Sequence, residues 1–443
     1  MKTVRESLSI AMRKPTILLM NRVYPPVRGA TGRILRDLAR NLARDGWQVT
    51  VITSGPKAGT ERDGAVRVIR VKGSANPSGV FSYALVWIKM LIAALKLPAT
   101  QLVVTMTDPP MFAVAGDILC RVKKNKHMHW VQDVYPDLFP VIGVKFPDFL
   151  LDAMSKVTIG AMSRADKVIV IGRCMARHLS YSGLAPRKMA VVPNWPDLEL
   201  GNEHIDGRFD DAANQEDFEK VIAASGRAMN YRTHQEQIKT GPRFRVLYAG
   251  NIGLVHPISV VLNAARILQN QNPEIEFLFV GDGPKYDAIT RAKAQEHLDN
   301  VKLLPYQPPA RLRALMESGD VHLVSLDLDA VGLCVPSKIY ASVAAHRPCI
   351  YIGPTGSEAS KLVEDYKLGM VIEPGNAEAL ADAIRGYRMD GDAWYAAHEN
   401  AKKAAAVFVP RASIGAFMER AWQLVGGKPQ EKIVERVDDL AAE

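Results

Sequence analysis

Residues 333–353 read LCVPSKIYASVAAHRPCIYIG, which brings a serine and a lysine to the place where a short apolar helix begins. Ser337 and Lys338 fit two roles. Serine is a preferred helix cap, and a lysine beside it is ordinarily a solvated charge. The same pair also fits an anion site, where free backbone N–H groups, the helix dipole and an ammonium converge on a phosphate. Two glycine loops of matching chemistry precede it, YAGNIG (Gly250, Asn251, Gly253) and VGDGP (Gly281, Asp282, Gly283). Each loop is weak alone. Together with PSK, at the same end of one predicted sheet, they are a more specific sign.

The first half offers acids and a guanidinium at predicted strand ends. TMTDPP presents Asp108, HMHWVQDVYPD presents Asp133, and VIVIGRCM places Arg173 just after a strand. Asn21 and Tyr24 lead into YPPVRGATG, where Gly29 and Gly32 would let the backbone approach a ligand. Structural readings compete with these. An Asp before Pro commonly starts a turn, His127 and His129 on their strand would merely pack, and Arg173 would serve equally in an ion pair. Asp133 is the candidate for a catalytic or substrate-orienting role.

These residues need strands and helices to position them, and the chain supplies the pattern twice. PTILLMNRVYPPVRGATGRILRDLARNLARDGWQVTVITSG runs apolar strand, Gly/Pro loop, amphipathic helix (Ile34, Leu35, Leu38, Leu42), Gly46 as a stop, then a strand. FRVLYAGNIGLVHPISVVLNAARILQNQNPEIEFLFVGDG repeats the order. Short β-rich runs alternate with helices through both halves, which predicts parallel sheets covered by helices. The expected architecture is α/β, with two facing Rossmann-like domains and substrates at the carboxyl ends of the strands in the cleft between them. We divide the chain into 14–199, a polar insertion or partly disordered linker at 200–241, 242–408, and a C-terminal segment at 409–443. The insertion carries one predicted helix, NQEDFEKVIAASG, and the last segment is a helix returning toward the first domain, then a solvated or frayed tail.

At 443 residues the chain is too long for one ordinary core. A formal charge of +9 points to an anionic partner, and no zinc-finger spacing or aromatic-basic motif favours nucleic acid. The four scattered cysteines (Cys120, Cys174, Cys334, Cys349) read as reduced core residues. MKTVRESLSIAMRKP lacks the continuous apolar core of a secretory signal. Segment 80–98, VFSYALVWIKMLIAALKLP, is apolar apart from Ser82, Lys89 and Lys96, which stand seven residues apart and form one polar stripe. Predicted strands of one sheet flank it, so it does not cross a membrane. It is either a buried core helix or a helix in a membrane interface, with its lysines and the nearby RVKKNKH toward anionic headgroups.

Six segments in order, YPPVRGATGRILRDLARNLARDGWQVTVIT, VQDVYPD, VVPNWPD, YAGNIG, FVGDGP and VPSKIYASVAAHRPCI, resemble glycosyltransferase family 4, and in particular its bacterial O-antigen and colanic-acid members. The resemblance covers nearly the whole chain apart from 200–241 and the tail. It implies a GT-B fold and a retaining, metal-independent transferase, with a nucleotide-sugar, a UDP-sugar by preference, on the second domain and an acceptor on the first. Carried over by residue, Gly250–Gly253, Ser337 and Lys338 would hold the donor diphosphate, with Arg173 adding charge. Tyr306 and the Gly281–Asp282–Gly283 loop would lie near the nucleobase, and Glu358 near the sugar or ribose. Asp133 matches the reacting centre, and Asn21, Tyr24, Gly29, Gly32 and Asp108 the acceptor loop. A DLD at 327–329 reads as a strand-exit loop rather than a metal-binding DxD, so no metal or cofactor is expected beyond the nucleotide-sugar co-substrate. Two departures stand out. The cations that many members carry in the first donor loop are replaced by Asn251 and His256, and a paired glutamate pattern by Leu333 and Ala341. The implied partners are a lipid-linked or glycan acceptor and the cytoplasmic face of the inner membrane. A UDP-sugar epimerase of the same fold and a catalytically silent partner subunit are the alternatives. NAD-dependent chemistry is weaker, because neither opening strand is followed by GxGxxG.

Overall fold

A computed structural model of the protein describes residues 14–27, 29–74, 79–196, 218–220 and 244–428. The tail from 429 lies outside the described residues, as does the helix expected at NQEDFEKVIAASG apart from Phe218–Lys220. The chain divides into two compact units. One comprises Met1–Pro140, Lys145–Pro193 and Arg411–Glu443, and the other Val141–Val144 and Asn194–Pro410.

The first unit runs β1 (Thr16–Met20), α1 (Ala30–Arg44), β2 (Gln48–Gly55), β3 (Gly59–Asp63), β4 (Val66–Lys72), α2 (Gly79–Lys96), β5 (Leu102–Met106), α3 (Ala113–Lys123), β6 (Lys126–Val131), α4 (Asp148–Arg164), β7 (Lys167–Val170), α5 (Arg173–Tyr181) and β8 (Met189–Val191). Its sheet has the order β3-β4-β2-β1-β5-β6-β7-β8. Every pairing is parallel except the β3–β4 hairpin. β1 and β5 are buried along almost their whole length, as expected for strands with helices on both faces.

The second unit runs β9 (Phe244–Ala249), α6 (Ile258–Gln271), β10 (Ile275–Val280), α7 (Tyr286–Gln295), β11 (Val301–Leu304), α8 (Pro309–Ser318), β12 (Val321–Ser325), α9 (Lys338–Ala344), β13 (Cys349–Ile352), α10 (Glu358–Asp365), β14 (Gly369–Ile372), α11 (Ala377–Met389) and α12 (Gly391–Ala405). The sheet is wholly parallel, in the order β11-β10-β9-β12-β13-β14. The strand order reverses at β9, as it does at β1 in the first sheet, and ligands bind such sheets beyond the strand ends at that reversal. Phe218 is buried against this unit's core, beneath the guanidinium of Arg311.

The last helix, α13 (Pro410–Val425), belongs from Arg411 onward to the first unit. Phe417 packs on Trp130 with ring centroids 4.8 Å apart. The Trp422 ring lies against Trp47, and its Nε1 donates to Asp45 Oδ2 at 2.6 Å. The four cysteines are free, with Cys174 and Cys349 buried.

Helix α2, which spans segment 80–98 almost entirely, has one buried and one exposed face. Val86, Met90 and Ala94 are buried on one face, in a cluster with Leu18, Met20, Val103 and Phe112. Successive helical residues turn by about 100°, so Phe81, Leu85, Ile88 and Ile92 fall on the opposite face, where they are 83%, 43%, 49% and 46% exposed. Lys89 lies between the faces and donates to the Lys72 carbonyl at 3.0 Å. The neighbouring helices extend the apolar surface with exposed Val122 on α3 and Phe149 and Val157 on α4.

Candidate functional site

In the second unit the three segments at the strand ends do come together. Gly250, leaving β9, and Gly281, leaving β10, approach so closely that a Cβ on Gly281 would lie 2.1 Å from the Gly250 carbonyl oxygen. Both have positive φ, 113° and 143°, which favours glycine. Gly283 passes equally close to Asn251 and Ile252. Lys338, the first residue of α9, lies over Gly250 and donates from Nζ to the Asn251 carbonyl at 2.8 Å. Ser337 makes no side-chain cap.

The Lys338 ammonium is held without a carboxylate among the described residues. It sits 4.8 Å from the centre of the Tyr248 ring and 3.4 Å from His256 Nε2. His256 donates from Nδ1 to the Ser325 carbonyl at 2.7 Å, which leaves Nε2 as the acceptor for the lysine. Burial first, then the adjacent Lys338 charge, lower the imidazole to about 3, so it is neutral. Burial also lowers Lys338, to about 7.

The backbone of residues 251–256 has a one-sided hydrogen-bond pattern. All six carbonyls accept: Asn251 from Lys338 Nζ, Ile252 from Lys285 N, Gly253 from His256 N, Leu254 from Lys285 Nζ, Val255 from Asp327 N, and His256 from Lys285 Nζ and Ile258 N. The N–H groups of Asn251, Gly253, Leu254 and Val255 donate to no described partner, and these four residues are exposed or half-buried. A loop whose carbonyls are all engaged and whose amides are open offers its N–H groups to an anion. Tyr306 follows β11 and is half-buried. Glu358 is buried at the start of α10, behind the Ser357 cap whose Oγ accepts from Ser360 N.

In the first unit, the strand-end acids converge beside the sheet reversal. Arg22 Nε donates to Asp108 Oδ1 at 2.7 Å, and its guanidinium lies 5.3 Å from the centre of the Tyr83 ring on α2. Burial raises Asp108, against the pull of Arg22. Asp133 follows β6, and its N–H donates to Thr107 Oγ1 at 3.2 Å. Its carboxyl group has no hydrogen-bond partner among the described residues. Burial, reinforced by the Asp108 charge, raises it to about 7, within reach of proton transfer near neutrality.

For most of the remaining first-unit candidates the structure shows contacts within the unit. Tyr24 is buried and donates from its hydroxyl to Asp63 Oδ2 at 2.8 Å, where Arg36 and Arg40 also bind. Gly29 and Gly32 make their close approach to Val23; a Cβ on Gly32 would lie 2.9 Å from the Val23 carbonyl. Asn21 is buried and donates to the Val23 carbonyl at 2.7 Å. His127 and His129 share the Thr105 hydroxyl at 2.9 and 2.8 Å and are held neutral by burial. Arg173 opens α5 in the first unit. Sequence reading left Lys285 unnoticed, although it follows the second glycine loop by two residues in GDGPK.

Comparison with known proteins agrees with this arrangement. Residues 29–195 match the Glycosyl transferase 4-like domain, and residues 243–389 match the Glycosyl transferases group 1 family. The chain is 25% identical over 285 residues to the probable glycosyltransferase WbjE of Pseudomonas aeruginosa; the match covers 64% of this chain and 65% of that relative's length. Among solved structures, sucrose-phosphate synthase from Thermosynechococcus elongatus superposes with a TM-score of 0.69 at 16% identity, covering 93% of this chain and 100% of that one. Anabaena HepE, solved in complex with UDP, superposes with a TM-score of 0.62 at 16% identity, covering 92% and 99%. With both units matched to glycosyltransferase families and most of the chain following their fold, the protein belongs to the family 4-like glycosyltransferases of GT-B fold.

Proposed function

We propose that the protein is a glycosyltransferase that takes a sugar from a UDP-sugar and passes it to a lipid-linked or glycan acceptor in cell-surface polysaccharide or glycolipid synthesis. The observation that carries this reading is the 251–256 loop, with six engaged carbonyls, four open amides and the Lys338 ammonium beside it. A diphosphate fits that chemistry, and HepE, of the same fold, has been solved with UDP-glucose. As the glycosidic bond to the diphosphate breaks, negative charge grows on the leaving oxygen. Preorganised amides and the ammonium stabilise that charge more in the transition state than in the ground state.

On the first unit, Asp133 is our candidate to accept the proton of the attacking hydroxyl, with the Arg22-paired Asp108 near it. Retention of anomeric configuration without a metal is part of the proposal, on the strength of the family resemblance. So is a peripheral location on the cytoplasmic face of the inner membrane. The exposed apolar face of α2, with Lys89 and Lys96 on its flank, supports that location, because such a helix lies in an interface with its cations at the headgroups.

The test is to incubate the purified protein with a panel of nucleotide-sugars and follow thermal unfolding and release of nucleoside diphosphate. Stabilisation by UDP and at least one UDP-sugar, with turnover once acceptor lipid is added, is the expected result. A protein indifferent to every nucleoside diphosphate refutes the reading.

A further inference from the structure

The missing loop cations leave a chemical problem. The resemblance implies cations in the first donor loop of many family members, and here Asn251 and His256 occupy those places, with His256 neutral. Lys285 comes from a different segment, the turn between β10 and α7, and reaches back across the same loop. Its Nζ donates to the Leu254 and His256 carbonyls, each at 2.7 Å, and its own backbone N–H donates to the Ile252 carbonyl at 3.3 Å. Lys285 therefore engages three of the six loop carbonyls. Lys338 engages a fourth and bonds the His256 ring, so the two ammoniums bracket that histidine from its main chain and its side chain.

We propose that Lys285 is a positioning residue for the donor site. By capturing the Leu254 and His256 carbonyls it holds the 251–256 loop with the Gly253, Leu254 and Val255 amides available to the donor phosphates. Lys338 is the cation that touches phosphate, whereas Lys285 acts through the loop. A neutral side chain at 285 frees the Leu254 carbonyl and leaves the His256 carbonyl with Ile258 N alone, so the loop can turn carbonyl oxygen rather than N–H toward the phosphate. The inference rests on the donor-site reading above.

The experiment compares UDP and uridine binding to the full-length wild type and to Lys285→Met, Lys285→Arg and Lys338→Ala, by calorimetry and ligand-observed NMR, with amide exchange followed over residues 251–257. Lys285→Met should weaken UDP about tenfold, less than the loss of a direct charge-assisted contact because Lys285 acts through the loop, and leave uridine within twofold, since uridine has no phosphate to feel the loop. Exchange of the loop amides should accelerate while the β9 and β10 amides keep their protection. Lys285→Arg, which retains a cation able to bond two carbonyls, should recover most of the UDP affinity. Unchanged UDP affinity in Lys285→Met overturns the proposal, as does an equal loss for UDP and uridine, which would mark a collapsed site. A wild type that binds no UDP at all would instead overturn the donor-site reading, and this proposal with it.

Discussion

Replacing Lys338 with alanine tests the donor site most directly, because the structure predicts a size of effect and how it changes with pH. The ammonium has a carbonyl, a neutral imidazole nitrogen and an aromatic face around it, and no described carboxylate. A phosphate would be its first anionic partner. One hydrogen bond to a charged group contributes about 1.5–3 kcal/mol, so losing it should weaken UDP roughly thirtyfold. Burial lowers the Lys338 ammonium to about 7 in the free protein. Above that pH the resting side chain is largely neutral, and diphosphate binding must draw a proton onto it. Wild-type affinity should therefore fall about tenfold per pH unit above neutrality, while the alanine variant, lacking the titrating group, stays flat. The nucleotide's last phosphate ionises near pH 6 and does not interfere above 7. Calorimetric titrations with UDP from pH 7 to 8.5 should show a gap of about thirtyfold closing over roughly one and a half decades. The wild type should also take up a proton on binding, measurable as a dependence of the heat on buffer. No gap at pH 7 removes Lys338 from the phosphate site. A gap constant with pH means the ammonium is fully charged at rest, which refutes the account of its burial.

Three further outcomes follow from the same geometry. Asp133→Asn should lower turnover by about 10²–10⁴ with the donor affinity unchanged; if the wild-type rate rises through an ionisation near 7, Asp108→Asn should move that limb to lower pH by removing the charge that reinforces burial. Replacing Phe81 and Ile88 with aspartate should abolish co-sedimentation with anionic vesicles at an unchanged unfolding temperature, because both side chains are exposed. Met90→Ala, on the buried face, should instead cost about 2–5 kcal/mol of stability and leave vesicle binding intact. Burial alone would raise Asp63, but Arg40, Arg36 and the Tyr24 hydroxyl outweigh it and hold the carboxyl at about 2. A carboxylate depressed in the folded state stabilises fully above its unfolded value near 4 and loses that contribution as pH falls toward 2, so Asp63→Asn should remove about 2 kcal/mol at neutral pH and flatten the acid limb of denaturant-measured stability.

The parts of the fold legible in the sequence were those written in periodicity. Apolar runs separated by amphipathic helices announced both sheets, and the glycines of YAGNIG and VGDGP marked where two backbones touch. Strand β3 escaped because GTERD is polar on both faces, lying exposed at the sheet edge, and its Asp63 gathers Tyr24, Arg36 and Arg40 only once the hairpin closes. Helix α2 is apolar nearly all round, so composition could not say which side is buried. The seated face emerges only from its packing on β1, β5 and α3 side chains. Gly29 and Gly32 show the limit of a glycine signal. Glycine signals close approach, but which partner approaches is a tertiary fact, and here it is Val23.

His256 is the clearest case of a residue whose type misleads until its bonds are known. Read along the chain, it stands where a cation is expected, and a histidine invites the assumption that it supplies the charge. Its Nδ1 proton is committed to the Ser325 carbonyl, and burial with a neighbouring ammonium keeps the ring neutral. It therefore acts as an acceptor, holding Lys338 by a lone pair. If the loop holds the donor diphosphate, its charge has moved from side chains of the loop itself to lysines that arrive from the β10–α7 turn and from the start of α9. Such a transfer changes the physics of the site. Cations borne on a loop move with it, whereas cations anchored beyond two other strands let the loop close onto the diphosphate only in the one conformation that satisfies its six carbonyls. If this is the donor site, recognition depends on the closeness of Gly250, Gly281 and Lys338, and a substitution that separates these segments would disable it even where the substituted residue does not meet the phosphate.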